Sequence, residues 1–164
     1  MLSFTELAKG DKEGAEAMSR LASAIIRDYY DPIIGKEQND YMIAAFQSPE
    51  SIAEQLERGC RYFFVAEDGE YAGFMAFYLR KDILYLSKFY LAKEKRGRGL
   101  GRGMLAFVIK EARKAGRGAI ELNVNKHNPT IEIYGHMGFA AVRAEKNDIG
   151  GGFFMDDYVL RLEL

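Results

Sequence analysis

Arg96-Gly97-Arg98-Gly99-Leu100-Gly101 joins an apolar, strand-like run ending near Ala92 to a helical pattern that begins at Gly99. Gly99, Gly101 and Gly103 fall in the first turns of that helix, where each glycine costs up to about 1 kcal/mol relative to alanine. Such a weakening is intelligible where something approaches the backbone closely. The first-turn amides of a helix are free donors with a positive dipole behind them, a setting that suits phosphate. Lys93, Lys95, Arg96, Arg98 and Arg102 crowd the same segment, although the dipole alone would favour acids there. A bound polyanion resolves that conflict. A solvated basic turn whose glycines permit tight helix–sheet packing is the other reading of the loop taken alone.

Upstream of the loop, Arg61 to Glu67, Tyr71 to Leu79 and Ile83 to Ala92 read as three strands. Asp68-Gly69 is a hairpin turn between the first two and Arg80-Lys81-Asp82 a looser one, so an antiparallel meander is expected. Downstream, Leu100, Met104, Phe107, Val108 and Ala112 form one apolar face of a helix from Gly99 to Ala115, stopped by Gly116. Ala119 to Asn125 then reads as a buried strand, and strand, helix, strand predicts a parallel crossover. Asn128-Pro129 opens a short helix to Met137. Gly138-Phe139 begins another strand, and Tyr158 to Leu164 alternates as a half-buried one. Before the meander, residues 3–8 predict a strand, Asp11 to about Tyr30 a helix ended by Asp31-Pro32, and Glu37 to Arg58 a helical region interrupted at Ser48-Pro49.

The 164 residues, 48% of them hydrophobic, suffice for one domain spanning 1–164. With a net charge of −1 and a pI near 6.2 the chain is not a general nucleic-acid binder, and the basic loop is a local feature. The lone Cys60 excludes a disulfide framework and a multi-cysteine zinc site. His127 and His136 have no metal-ligand partners nearby, so no metal is expected. No apolar run reaches membrane-spanning length, and the amino-terminal residues lack the regions of a signal peptide. A soluble, cytoplasmic protein is the expectation.

Leu91, Arg96-x-x-Gly99-x-Gly101, Asn128, Tyr134 and Gly138-Phe139 follow one another in an order and spacing that resembles the GNAT superfamily of acyl-CoA N-acyltransferases. The first element is similar to that family's (Gln/Arg)-x-x-Gly-x-(Gly/Ala) pyrophosphate loop, the second to its Asn-x-x-x-x-x-Tyr-x-x-x-Gly-Phe helix. The resemblance implies a mixed α/β fold, a central, strongly twisted mixed β-sheet flanked by helices. It implies acetyl-CoA as co-substrate, with Phe89, Tyr90 and Leu91 pairing with the pantetheine arm like an added strand. The amides from Gly97 to Arg102, Leu100 included, would hold the pyrophosphate, and Arg96, Arg98 and Arg102 would add charge. Asn128 resembles the family's cofactor-contacting asparagine; on residue type alone it is an N-cap. Tyr134 resembles the family's acid, which protonates the departing thiolate; a core aromatic is the plainer reading. A phenol of reference pKa ~10 stays protonated at neutral pH and so can serve.

No carboxylate stands between Leu84 and Ala92, where many relatives carry the general base, and the next strand offers Asn123 in its place. Water relayed to Glu121 or Tyr85, or a water chain to solvent, are the alternatives. Cys60 lacks a histidine or asparagine pattern around it, so direct transfer without a covalent intermediate is expected. Asp28, Tyr29, Tyr30, Asp31, Glu37, Asp40 and Tyr41, with Asn147, Asp148, Asp156 and Asp157 in a loop 147–157, make the acceptor region acidic. The expected partner is a small-molecule amine, with neither nucleic acid nor membrane, and a homodimer is admissible. The tail Phe153 to Leu160 resembles bacterial polyamine acetyltransferases of the superfamily. A solvated acidic rim, a non-catalytic acyl-CoA sensor and an enzyme acting on a protein amino terminus are the competing expectations. Gly101-x-Gly103-x-x-Ala106 also fits a dinucleotide fingerprint, but the preceding meander is not a parallel doubly wound sheet.

Overall fold

The computed structural model describes residues 1–164. Strand β1 (Leu2–Glu6) leads into three helices, α1 (Lys12–Ile34), α2 (Lys36–Phe46) and α3 (Pro49–Glu57). The meander follows as β2 (Arg61–Glu67), β3 (Glu70–Leu79) and β4 (Ile83–Leu91). Helix α4 (Leu100–Lys114), β5 (Ala119–Asn125), α5 (Ile131–His136), β6 (Ala140–Gly150) and β7 (Phe153–Glu163) complete the chain. The strands form one seven-stranded sheet in the order β1-β2-β3-β4-β5-β7-β6. Every pairing is antiparallel except β4 with β5, which α4 joins as a parallel crossover.

The long apolar runs of the meander are explained by burial on both faces. Phe63, Val65, Met75 and Phe77 pack toward α4, against Met104, Val108 and Ala112. Tyr62, Phe64, Phe74 and Ala76 pack the other way, against Met18, Ala22 and Ile26 of α1 and Ile52 and Leu56 of α3. The helix face read from the sequence is therefore the buried face of α4, with Leu105 added to it.

Four local expectations are corrected. Helix α1 does not stop at Asp31-Pro32; it runs through Pro32 to Ile34 and is closed by Gly35, at φ 87°, whose N–H donates to Asp31 O at 3.1 Å. Proline loses one bond in a last turn whose Ile33 and Ile34 pack on the core, and that packing outweighs it. The segment 147–157 is a hairpin between β6 and β7, not a loop, because Gly150, Gly151 and Gly152 take positive φ at its tip. In β7 both Val159 and Leu160 are buried while Tyr158 is exposed, since β5 and β6 flank the strand and the simple alternation fails. Helix α5 starts at Ile131, so Asn128 precedes the helix and does not cap it.

Candidate active site

Strands β4 and β5 pair only over Ile83–Tyr85 and Ala119–Glu121. Beyond that point β5 keeps β7 as its partner along its whole length and β4 keeps β3, so the two parallel strands part. A cavity of about 320 Å³ occupies the divergence. Leu86, Met104, Leu122 and Val124 line it from the α4 face of the sheet, and Tyr29, Tyr30 and Asn123 from the other, so it passes through the sheet.

Ten of the twelve residues expected to bind the cofactor or act in catalysis line this cavity: Phe89, Tyr90, Leu91, Arg96, Gly97, Gly99, Gly101, Arg102, Asn128 and Tyr134. Arg98 and Leu100 do not. The guanidinium of Arg98 turns away to Glu67 at 2.9 Å, and Lys95 lies near Glu67 and Glu70. Arg96 donates from Nε to Leu91 O at 3.0 Å, with its guanidinium over the Tyr29 ring. Much of the loop's positive charge is thus paired within the protein.

The backbone of the loop is not. None of the amides from Gly97 to Arg102 donates to a backbone carbonyl. Gly97 and Gly99, at φ 74° and 79°, hold the left-handed geometry that sets up this row of donors. In β4 the Ala92 N–H donates to Ala72 O in the direction of β3, so by strand alternation the N–H of Leu91 faces the divergence. Backbone donors therefore line both the strand end and the helix start.

Asn128 is buried and fully engaged. Its Oδ1 accepts from Tyr29 Oη at 2.8 Å, Thr130 N at 2.9 Å and Thr130 Oγ1 at 2.7 Å, and its Nδ2 donates to Tyr30 Oη at 3.3 Å. Tyr90 Oη donates to Tyr30 Oη at 3.2 Å. Burial pushes the Tyr30 phenol up to about 12. Tyr134 packs its ring against Phe89 and Phe139, with centroids 6.2 and 5.6 Å away. Its apolar surroundings raise the phenol well above its ordinary value, which keeps it a proton donor.

On the opposite side, Glu121 is withdrawn from the chemistry. It is buried, and Arg143 at 3.2 Å and Arg161 at 2.7 Å hold its two oxygens. Tyr85 Oη donates to Asn123 Oδ1 at 2.7 Å, while Asn123 Nδ2 donates to Glu145 Oε1 at 3.2 Å and Asp157 Oδ2 at 3.3 Å. Asp157, read from the sequence as part of an acidic rim, is only 3% exposed. Asp40 and Asp156 of that rim are paired, the first with Arg27 and Lys36, the second with Lys126. Gln38 donates to Phe154 O and Tyr41 to Ile149 O, pinning α2 to the β6–β7 hairpin over this side. Cys60 is buried away from the cavity, and burial pushes its thiol up.

Residues 30–155 match the family model of the acetyltransferase (GNAT) domain, and the chain belongs to that family of acetyltransferases. Its fold is shared by the PaiA N-acetyltransferase of Thermoplasma acidophilum in complex with coenzyme A, at 19% identity and a TM-score of 0.81 over 100% of this chain and 99% of that one. The ribosomal-protein-S18-alanine N-acetyltransferase of Escherichia coli is 20% identical, with a TM-score of 0.67 over 99% and 94% of the two chains. A GNAT family acetyltransferase of Elizabethkingia anophelis with acetyl-CoA bound is 15% identical, with a TM-score of 0.63 over 99% and 98%. Comparison with curated protein sequences gives no match.

Proposed function

We propose that this protein moves an acetyl group from acetyl-CoA directly to a primary amine, and that the β4–β5 divergence is where the two meet. The observation that carries this reading is the meeting, in one cavity, of a row of unused loop amides, the Leu91 N–H and the Tyr134 phenol. The amides of Gly97 to Arg102 suit a pyrophosphate, because they are preorganised donors at a helix start and need no side-chain charge. Phe89, Tyr90 and Leu91 offer an open strand end to the pantetheine arm. Coenzyme A and acetyl-CoA in the relatives from T. acidophilum and E. anophelis are in keeping with that donor.

The Leu91 N–H is placed to polarise the thioester carbonyl and to stabilise the charge that grows on its oxygen. Tyr134 then gives a proton to the departing thiolate, whose own thiol has a pKa near ~8.5 by analogy with cysteine. Asn128 acts through Tyr29 and Tyr30, fixing the wall between donor and acceptor sides. Glu145 and Asp157, behind Asn123, leave the acceptor side acidic, which favours a small cationic amine such as a polyamine.

The test is thiol release from acetyl-CoA with polyamines, amino acids, aminoglycosides and peptide amino termini as acceptors. Turnover of an aliphatic amine is expected. If acetyl-CoA neither binds nor raises the melting temperature, the reading is wrong.

A further inference from the structure

The sequence places no carboxylate on β4 at the cavity, and Asn123 stands where β5 meets it. The fold brings one in from β7. Asp157 pairs in register with Asn125 of β5 and Glu145 of β6. It lies directly behind Asn123, a cavity-lining residue whose Nδ2 donates to its Oδ2 at 3.3 Å. The other oxygen, Oδ1, is buried and meets no donor of the protein. A buried carboxylate oxygen without a partner is costly, and one that persists one side chain behind a cavity wall calls for a ligand or a role.

We propose that Asp157 is the proton acceptor for the incoming amine, its Oδ1 taking the proton across one water at the wall beside Asn123. The inference rests on reading the site as an amine acetyltransferase. In the step, an ammonium R–NH3⁺ loses one proton through the water to the carboxylate, leaving a neutral amine and a neutral carboxylic acid. The amine lone pair forms a C–N bond to the thioester carbonyl carbon, and the C–S bond breaks. Tyr134 protonates the thiolate and is reprotonated by the second N–H of the new amide nitrogen. Asp157 later returns its proton to solvent, so one proton is released per turnover.

The surroundings suit that task. Tyr30 from α1, Tyr85 from β4, Asn123 and Asn125 from β5 and Glu145 from β6 face or adjoin the carboxyl, while Gln38 and Tyr41 of α2 contribute only neutral groups. The nearby cations are spent elsewhere: Lys126 on Asp156, and Arg143 on Glu121 and Glu145. Burial, aided by Asp156 and Glu145 and opposed by Asn123, holds the Asp157 carboxyl above the usual carboxylate range, closer to what a base working near neutrality needs.

The experiment is the pH profile of kcat/KM for Asp157→Asn, with spermidine as the first acceptor and otherwise the most reactive aliphatic amine of the screen. The variant is expected to lose about 10²-fold or more at pH 7. It should regain activity as pH rises toward the pKa of the amine, where the amine arrives already neutral. Affinity for acetyl-CoA should stay within about twofold of the parent. Removing a buried, unpaired charge should leave the melting temperature at pH 7 at or above that of the parent, so loss of fold does not confuse the result. A loss uniform across pH, or no loss, overturns the assignment. A parent that binds acetyl-CoA yet acetylates no amine overturns the amine reading itself.

Discussion

Tyr29 Oη donates to Asn128 Oδ1 at 2.8 Å, across 99 residues of chain. This bond, with the one from Asn128 Nδ2 to Tyr30, ties the first helix to the turn that leads into α5, the helix carrying Tyr134. Replacing Asn128 by alanine strands the Thr130 amide and hydroxyl and the Tyr29 hydroxyl beside a cavity, and leaves Tyr30 only its bond from Tyr90. Unsatisfied groups of this kind cost about 1–3 kcal/mol. Urea titration should show that loss, and acetyl-CoA turnover should fall with it because the cavity wall loosens.

Gly101 separates binding from stability. It has ordinary helical geometry, and a methyl group there would meet only Met137 Cε, at 3.3 Å, the end of a flexible side chain. Gly101→Ala should therefore hold or raise stability, by up to about 1 kcal/mol from helix propensity. The same methyl projects where a ligand would approach the loop amides, so acetyl-CoA affinity should drop at least about tenfold, a coupling of about 1.4 kcal/mol. Calorimetric binding beside a melting curve checks both halves. Gly99→Ala, by contrast, must adopt φ 79° and should lose about 1–2 kcal/mol.

The architecture was legible because the meander and the α4 crossover carry strong local signals: Asp68-Gly69 at a turn, long apolar runs, and a clean helical period from Leu100 to Ala112. The cost of its glycines marked the loop as a place of open backbone, and its amides from Gly97 to Arg102 do lack backbone acceptors. The far side of the β4–β5 divergence was not legible. Asp157 sits in a polar stretch that reads as rim, and only the pairing of β7 between β5 and β6 buries it. The capture of Arg98 by Glu67 and of Glu121 by Arg143 and Arg161 likewise depends on partners distant in sequence. No local period could reveal them.

Tyr134→Phe removes the hydroxyl proposed as proton donor while keeping the ring against Phe89 and Phe139. Thiol release with an aliphatic amine should fall about 10²-fold or more. The Kd for acetyl-CoA should change by less than about twofold, because the hydroxyl serves a charge that develops only as the C–S bond breaks. Unchanged turnover would remove the role assigned to Tyr134.

Stability should fall steeply in alkali. Tyr30 is buried with its phenol pushed up to about 12, and burial raises Tyr62, Tyr85, Tyr90 and Tyr134 in the same direction. In the unfolded chain these phenols ionise near ~10, so above that pH the unfolded state holds fewer protons than the folded one. Stability that is complete below pH ~10 is then lost progressively as pH rises toward the folded values. Tyr30 alone accounts for up to about 3 kcal/mol of the loss between ~10 and about 12. Urea midpoints measured from pH 8 to 11.5 should be flat to about 9.5 and fall beyond it. Tyr30→Phe should fall less steeply, and an equally steep fall in that variant would show that Tyr30 does not contribute to the loss.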